Sequence, residues 1–317
     1  MRLIRMLLVV AGAMIAGTSL VSARDEIQAP PQSQAVGATS VSDGERFEGY
    51  LFLDVDGRPL PFQSDEAFEE FLRTAEVIST AKIPVGVTAP KKVLLEANGL
   101  RVNAVFKTIN TEQRNVRNKG EFYLLWRDDW YGFEIAAYQV DRLLGLNRVP
   151  PVVERKIKRW EGSVQIWLEQ TITEKKRRDD KLEPPGIARW NQQKSTMRVF
   201  NNLLANRDPN LGNFLIDRNW RRWFIDFSRS FEPTDELLYP KSITHCDRSL
   251  WQALQDLDPK TAHDRLEPYL TKPEIDAMMK RHHKLVELIQ SLIDQWGEEL
   301  VIFEFSPPST TAHWGEN

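Results

Sequence analysis

The chain has 317 residues, of which 41% are hydrophobic and 27% charged, a composition typical of one large globular domain or of two lobes. Its formal net charge of -3 excludes a strongly basic surface and gives no reason to expect a nucleic-acid partner. Cys246 is the only cysteine, which excludes an internal disulfide, so the folded part must depend on its hydrophobic core.

The N-terminus has the order of residues typical of a secretory signal peptide. Two arginines precede an apolar and small-residue run over 7–16, and small residues at 21–23 precede Arg24. This order predicts a signal peptide over 1–23 and export to the periplasm or outside the cell, with no membrane span after cleavage. A retained membrane anchor is the alternative, because the apolar stretch extends over 6–23.

Composition also predicts where the folded part begins and ends. Residues 24–44 are rich in Gln, Ala, Ser, Pro and Gly and predict a flexible linker. Residues 306–317 predict a disordered tail, which leaves 45–305 as the folded part. Within it, the charged run over 173–185 predicts an exposed loop.

The first half of the folded part is predicted to be rich in strands. Apolar runs and alternations bounded by turn residues predict strands at 50–55, 92–96, 101–107, 121–126 and 163–169. Asn98-Gly99 predicts a tight hairpin turn, since this pair readily supplies positive φ angles. Ser64 is predicted to cap a helix with an apolar face over 67–75, and a second helix is expected from about 130 to 144.

The second half is predicted to be mostly helical. Apolar residues at helical spacing predict helices over 190–205, 249–257, 262–270 and 273–296, with two short strands at 214–216 and 223–225. The fold class is therefore α+β, with a β-rich N-terminal part and a mainly helical C-terminal part.

Three polar residues of the second half have a spacing suited to phosphoryl transfer. Asp208 lies five residues before Asn213, and Asp226 follows thirteen residues after that. One carboxylate can orient and accept the proton of an attacking hydroxyl, while an amide oxygen and a second carboxylate hold Mg²⁺ or Mn²⁺ against phosphates. We predict Asp208 as catalytic and Asn213 and Asp226 as metal ligands. The alternative is that Asp208-Pro-Asn210 only forms a turn.

Two more charged residues lie on predicted elements that could complete such a site. Lys107 ends an apolar strand, where it could bind the α and β phosphates, and Glu134 lies early in the next helix, where it could pair with Lys107. Taken singly, Lys107 would be interpreted as a surface lysine and Glu134 as a solvated glutamate. Their order with the three residues above favours a shared site.

These residues resemble the protein-kinase motifs R-D-x-x-x-x-N and D-F-G. Asn206 replaces the usual His before Arg207, and Ser228 replaces the usual Gly after Phe227. The chain also resembles the atypical secretory-pathway kinases, the Golgi casein kinase and four-jointed-like group. That resemblance is carried by the segments 86–91, 105–107, 134–151 and the catalytic loop. The segments 214–217 and 224–227 also resemble lipid kinases of the phosphatidylinositol type.

The resemblance implies a two-lobed protein-kinase-like fold, with an N-lobe over about 45–168 and a C-lobe over about 169–305. It implies ATP and a divalent ion, Mg²⁺ or Mn²⁺, as cofactors. The implied nucleotide-binding residues are Gly86, Thr88, Lys91, Lys107, Leu168 and Glu169, the last two beside the adenine. Glu134 and Lys107 are implied as catalytic residues beside Asp208.

Three functions are compatible with this pattern. The first is an exported kinase that phosphorylates protein hydroxyls, and the second is a kinase of the same fold acting on a small molecule, sugar or lipid headgroup. The third is a pseudokinase that binds partners, which the replaced His and Gly and the scarcity of ATP outside the cytoplasm favour. The sequence leaves the oligomeric state open.

Overall fold

The computed structural model describes residues 52–83, 89–118 and 120–306. The predicted signal peptide and linker, Gly86 and Thr88, and the predicted tail beyond residue 306 lie outside the described residues. No helix in the described ranges is long and apolar enough to span a membrane.

A five-stranded antiparallel sheet, in the order β1-β2-β3-β7-β6, dominates the N-terminal part. Its strands are β1 (Glu76–Lys82), β2 (Lys91–Ala97), β3 (Leu100–Lys107), β6 (Val152–Ile157) and β7 (Trp160–Ile166). The predicted hairpin joins β2 to β3, and Asn98 and Gly99 have φ values of 52° and 75°. Helix α1 (Asp65–Thr74) packs its buried face, which includes Phe68 and Leu72, in the same apolar cluster as the sheet.

A long antiparallel hairpin lies between β3 and the second helix. It consists of β4 (Asn110–Asn118) and β5 (Glu121–Trp130) and pairs with no strand of the main sheet in the part of the chain that is described. Helix α2 (Gly132–Leu143) follows, is almost wholly buried, and ends before Gly145, whose φ is 64°. A positive φ at this position is a common helix stop.

The C-terminal part is mainly helical, with a second large apolar cluster that includes α2. Its helices are α3 (Glu174–Asp179), α4 (Ile187–Leu203), α5 (Arg248–Asp256), α6 (Pro259–Leu266), α7 (Lys272–Trp296) and α8 (Glu298–Val301), with single turns of 3₁₀ helix at Leu211–Asn213 and Pro240–Ser242. The remaining strands are β8 (Ile172–Thr173), β9 (Phe214–Ile216), β10 (Arg222–Phe224), β11 (Cys246–Asp247) and β12 (Ile302–Phe303). The predicted α+β class, strand-rich before helical, is confirmed.

Two predicted elements are wrong. Over 52–55 there is only an isolated bridge from Leu53 to Pro59, because Asp54 Oδ1 accepts hydrogen bonds from the backbone N–H groups of Asp56 and Arg58 and closes a local turn. The charged run over 173–185 is not simply an exposed loop, since it contains α3. Thr173 caps this helix, and its buried Glu174 pairs with Arg177.

Candidate active site

Strand β3, the central strand of the five-stranded sheet, ends at Lys107, next to β7. Lys107 pairs with Ser163 in the ladder, and the neighbouring Gly162 lets the two backbones approach closely. A Cβ atom built on Gly162 would lie 2.1 Å from the carbonyl oxygen of Lys107, so any larger residue would push β7 away from β3. The position of Lys107 therefore depends on a glycine that the sequence alone does not single out.

Lys107 lies between two carboxylates from opposite sides of the site. Its Nζ is 2.5 Å from Glu134 Oε1 and 2.7 Å from Asp226 Oδ1. Glu134 comes from α2, and its Oε2 accepts a hydrogen bond of 3.1 Å from the backbone N–H of Phe227. Glu134 thus binds both the lysine and the segment that carries Asp226, which orients all three side chains.

The charges in this trio shift one another's pKa. Burial disfavours the Lys107 ammonium, but attraction to Glu134 and Asp226 outweighs it and raises the lysine pKa. Burial likewise opposes the Asp226 carboxylate, yet Lys107 lowers its pKa overall. Burial and repulsion by Asp226 raise the pKa of Glu134 against the opposing effect of Lys107. Lys107 and Asp226 therefore carry their charges at neutral pH.

Asp226 has a left-handed backbone conformation, with φ of 67°. Aspartate is among the few residues that adopt this region readily. The turn leaves the side chain of Asp226 39% exposed while the next residue, Phe227, is buried against Phe200 with ring centroids 5.6 Å apart. The buried aromatic ring thus anchors a carboxylate that faces solvent.

The loop that carries Asp208 and Asn213 is ordered by its own amide groups. Asn213 Nδ2 donates to the Asp208 carbonyl at 2.9 Å, and Asn206 Oδ1 accepts from the Asp208 N–H at 3.0 Å. The carbonyl of Asn213 accepts a 3.1 Å hydrogen bond from the N–H of Ile225, next to Asp226. The structure therefore brings Lys107, Glu134, Asp208, Asn213 and Asp226 together. Asn206, which replaces the usual histidine, stabilises this loop through its hydrogen bond to the N–H of Asp208.

The donor set suits a metal ion that also binds phosphates. Among the described residues, no hydrogen-bond donor occupies Asn213 Oδ1 or Asp226 Oδ2, so an amide and a carboxylate oxygen remain available. The described part of the chain contains no group of three or more His, Cys, Asp or Glu side chains that could hold an ion without a substrate. Mg²⁺ is commonly held by one or two carboxylates together with substrate phosphates, and Asn213 and Asp226 fit that arrangement.

Of the other predicted nucleotide-binding residues, Lys91 lies on the strand next to β3, and Leu168 and Glu169 follow β7. Lys91 begins β2 opposite Phe106. Leu168 is buried with the sheet residues, at 4% exposure, in the segment that leads to β8. Glu169 follows it, and its Oε1 accepts a 2.7 Å hydrogen bond from Asn103 of β3. Gly86 and Thr88 lie outside the described residues, so their predicted place over the nucleotide stays a prediction.

Sequence reasoning missed four charged residues beside Asp208. Arg229 Nε binds Asp129 Oδ2 at 2.9 Å, and Arg229 Nη1 lies 3.7 Å from Asp208 Oδ2. Arg207 Nη1 binds Asp128 Oδ1 at 2.6 Å, and its Nη2 also binds the Asp128 carbonyl. Adjacent acids at the end of a strand were a signal in the sequence, but nothing there indicated that both would meet arginines.

Comparison with known proteins gives the same fold. The family model "Fam20C: Golgi casein kinase, C-terminal, Fam20" matches residues 63–177, which includes Lys107 and Glu134 but not the catalytic loop. A search of curated protein sequences finds no significant match. The chain is similar to hydra Fam20 with sugar, at 16% identity and a TM-score of 0.59, over 83% of this chain and 99% of that one.

Two structures of the Golgi casein kinase are also similar. One matches at 17% identity with a TM-score of 0.56, and the other, with Mn/ADP bound, at 16% identity with a TM-score of 0.55. Each match covers 77% of this chain and 80% of the other. The predicted resemblance to the Golgi casein kinase group is confirmed, and the chain has the protein-kinase-like fold of the Fam20 proteins.

Proposed function

We propose that the chain is an ATP-dependent kinase that transfers the γ-phosphate of ATP, with Mg²⁺ or Mn²⁺, to a hydroxyl group of a protein. The observation that carries this proposal is the Lys107–Glu134–Asp226 trio beside the Asp208–Asn213 loop, with every charged group that phosphoryl transfer requires. The Mn/ADP-bound Golgi casein kinase neighbour supports the choice of cofactors.

In the proposed reaction, Asp208 orients the acceptor hydroxyl and accepts its proton. The hydroxyl oxygen forms a bond to the γ-phosphorus while the bond between that phosphorus and the β–γ bridging oxygen breaks, which releases ADP. Lys107, positioned by Glu134, binds the phosphates. Asn213 and Asp226 would hold the divalent ion, which neutralises phosphate charge when bound. Leu168 and Glu169 are proposed to lie beside the adenine, and Gly86, Thr88 and Lys91 near the phosphates.

A second candidate is a kinase of the same fold that acts on a small molecule. The hydra Fam20 neighbour was determined with sugar, which favours a sugar hydroxyl as the alternative acceptor. The two candidates use the same catalytic residues and differ in what reaches Asp208. Labelled ATP offered with casein-like peptides, and separately with sugars and lipids, distinguishes them by which acceptor gains the label.

The catalytic assignment is tested by Asp208→Asn. This variant keeps the size of the side chain but removes the carboxylate, so we expect kcat to fall by at least ~10²-fold while nucleotide binding is retained. Phosphate transfer from labelled ATP measures kcat, and calorimetry measures binding. Transfer at the wild-type rate in the variant would refute the role of Asp208.

We also propose export, from the order of residues at the N-terminus. Cleavage after Ala23 would release a mature chain that begins at Arg24. N-terminal sequencing of the protein from an exported fraction tests this, with Arg24 as the expected first residue. A chain that retains residues 1–23 in the membrane fraction would favour the anchor instead.

A further inference from the structure

An irregularity in the β4–β5 hairpin places Asp128 and Asp129, near the end of β5, against the segments that carry Asp208 and Asp226. Asn110 pairs with Trp130 and Glu112 with Arg127, so the single residue Thr111 lies opposite both Asp128 and Asp129. This is a β-bulge, with one extra residue on β5. Thr111 Oγ1 accepts from the N–H of Asp129 at 2.7 Å and donates to its carbonyl at 2.9 Å, which fixes the bulge.

The bulge explains how the neighbouring residues Asp128 and Asp129 can both bind arginines of the proposed site. In a regular strand, successive side chains point to opposite faces, so Asp128 and Asp129 would diverge. Here Asp128 binds Arg207 and Asp129 binds Arg229. The two arginines are themselves joined, since the Arg229 carbonyl accepts from the Arg207 N–H at 3.2 Å. The backbone continues the contact, with Trp130 N–H donating to the Ser228 carbonyl at 2.8 Å.

The two arginines lie close in sequence to the proposed catalytic and metal-binding residues. Arg207 precedes Asp208, and Arg229 follows the Asp226-Phe227-Ser228 segment. Asp129 is only 4% exposed, whereas the side chain of its partner Arg229 is 41% exposed, so solvent partly screens this ion pair. Arg229 in turn lies 3.7 Å from Asp208 Oδ2, which places a fixed cation beside the proposed base.

We propose that Asp128 and Asp129 form an anionic clamp that positions the Asp208 loop and the Asp226 segment through Arg207 and Arg229, in place of a phosphate group. Many kinases order the activation loop, which follows the D-F-G motif, only when a phosphorylated residue of that loop pairs with arginine. Here the strand supplies the carboxylates permanently. Asp128 and Asp129 are positioning residues, and the proposal rests on the kinase function proposed above.

Activity measurements on Asp129→Asn and Arg229→Gln test the coupling. We expect each to lower kcat by about 10- to 100-fold, as displacement of a catalytic group does, with little change in the KM for ATP or in Tm. The double variant should be no less active than the less active of the two single variants, because Asp129 acts on the catalytic segments through Arg229. Glu112→Gln, on the same hairpin and paired with the exposed Arg114, should behave as wild type.

Hydrogen exchange provides a readout that does not need activity. Asp129→Asn should increase exchange at residues 206–213 and 228–232, whereas Glu112→Gln should not. If the wild type transfers no phosphate, the kinase proposal fails while this comparison still tests the clamp. Unchanged exchange in Asp129→Asn would overturn the clamp, as would a kcat equal to wild type or a loss confined to Tm and ATP binding.

Phosphatase treatment should leave wild-type kcat unchanged. A fall in kcat caused by removal of a phosphate from residues 228–242 would also overturn the clamp.

Discussion

Key residues of the proposed site have a second contact that holds the side chain in place. Glu134 uses one oxygen for Lys107 and the other for the N–H of Phe227. The amide nitrogen of Asn213 donates a hydrogen bond to the Asp208 carbonyl, which leaves the amide oxygen available. Side chains held in this way lose little further entropy when a substrate binds, which favours a preorganised site.

His282 gives a prediction at this scale for stability rather than activity. It is buried on α7, and its Nε2 donates to the Leu254 carbonyl at 2.6 Å, while Nδ1 has no hydrogen-bond partner among the described residues. Burial is the main reason that the pKa of His282 lies below the usual histidine value of about 6.5, with His283 adding to the effect. The neutral ring is therefore the form that the folded chain favours.

The sign of the pH effect follows from that lowered pKa. The unfolded chain binds the proton more readily, so the contribution of His282 is complete above about pH 6.5 and is lost as the pH falls toward the folded pKa. We expect the free energy of unfolding to fall more between pH 7 and pH 5 in wild type than in His282→Gln. Chemical denaturation at both pH values measures this, with His263→Gln on the shorter α6 as the control. An equal fall in wild type and His282→Gln would contradict the assignment.

At the scale of elements, the predicted helices and the β2–β3 hairpin were found because their signals are local. Ser64 accepts from the N–H of Ala67 at the start of α1, and Asn98-Gly99 makes the predicted turn. The short β9–β10 hairpin was likewise predicted from apolar runs. Capping and turn chemistry act within a few residues, so a single sequence contains the information needed to predict them.

Two of the strands that were not predicted, β1 and β4, lack the pattern that such predictions use. Strand β1 is an edge strand with almost every side chain exposed, and β4 is polar and exposed over most of its length. Neither alternates between apolar and polar residues, because neither has one face on the core. Pairing with β2 holds β1 in the five-stranded sheet, and pairing with β5 holds β4 in its hairpin. Such pairing is information that a strand's own residue pattern does not carry.

The same distinction applies to the candidate site. The proximity of Asp208, Asn213 and Asp226 could be predicted because their spacing matches a motif, while their roles stay predictions. Lys107 and Glu134 needed the resemblance as well. Asp129 and Arg229 could not be predicted, since they are 100 residues apart and meet only because a bulge at Thr111 turns the end of β5. The error at 173–185 has a similar cause in part, because Glu174 of α3 is buried and its carboxylate lies 3.7 Å from Arg222, which is distant in the sequence.

At the scale of the whole molecule, the proposed site lies where the sheet, α2 and the loop that carries Asp208 and Asn213 meet. Lys107 comes from the strand-rich part, Glu134 from the helix that follows the hairpin, and Asp226 from the helical part. Their convergence forms the proposed site, and the chain is similar in fold to the Mn/ADP-bound Golgi casein kinase. The central claim is that the convergence binds a nucleotide through a divalent ion.

Thermal unfolding of the chain without residues 1–23 tests that claim most directly. A ligand at 100 times its Kd stabilises the folded state by about 2.7 kcal/mol, so millimolar ATP with Mn²⁺ or Mg²⁺ should raise Tm by at least about 3 °C. Asp226→Ala should lose this rise, and Asp276→Asn, an exposed acid on α7 paired with Lys272, should keep it. No rise in the wild type, or an equal rise in Asp226→Ala, would contradict the account.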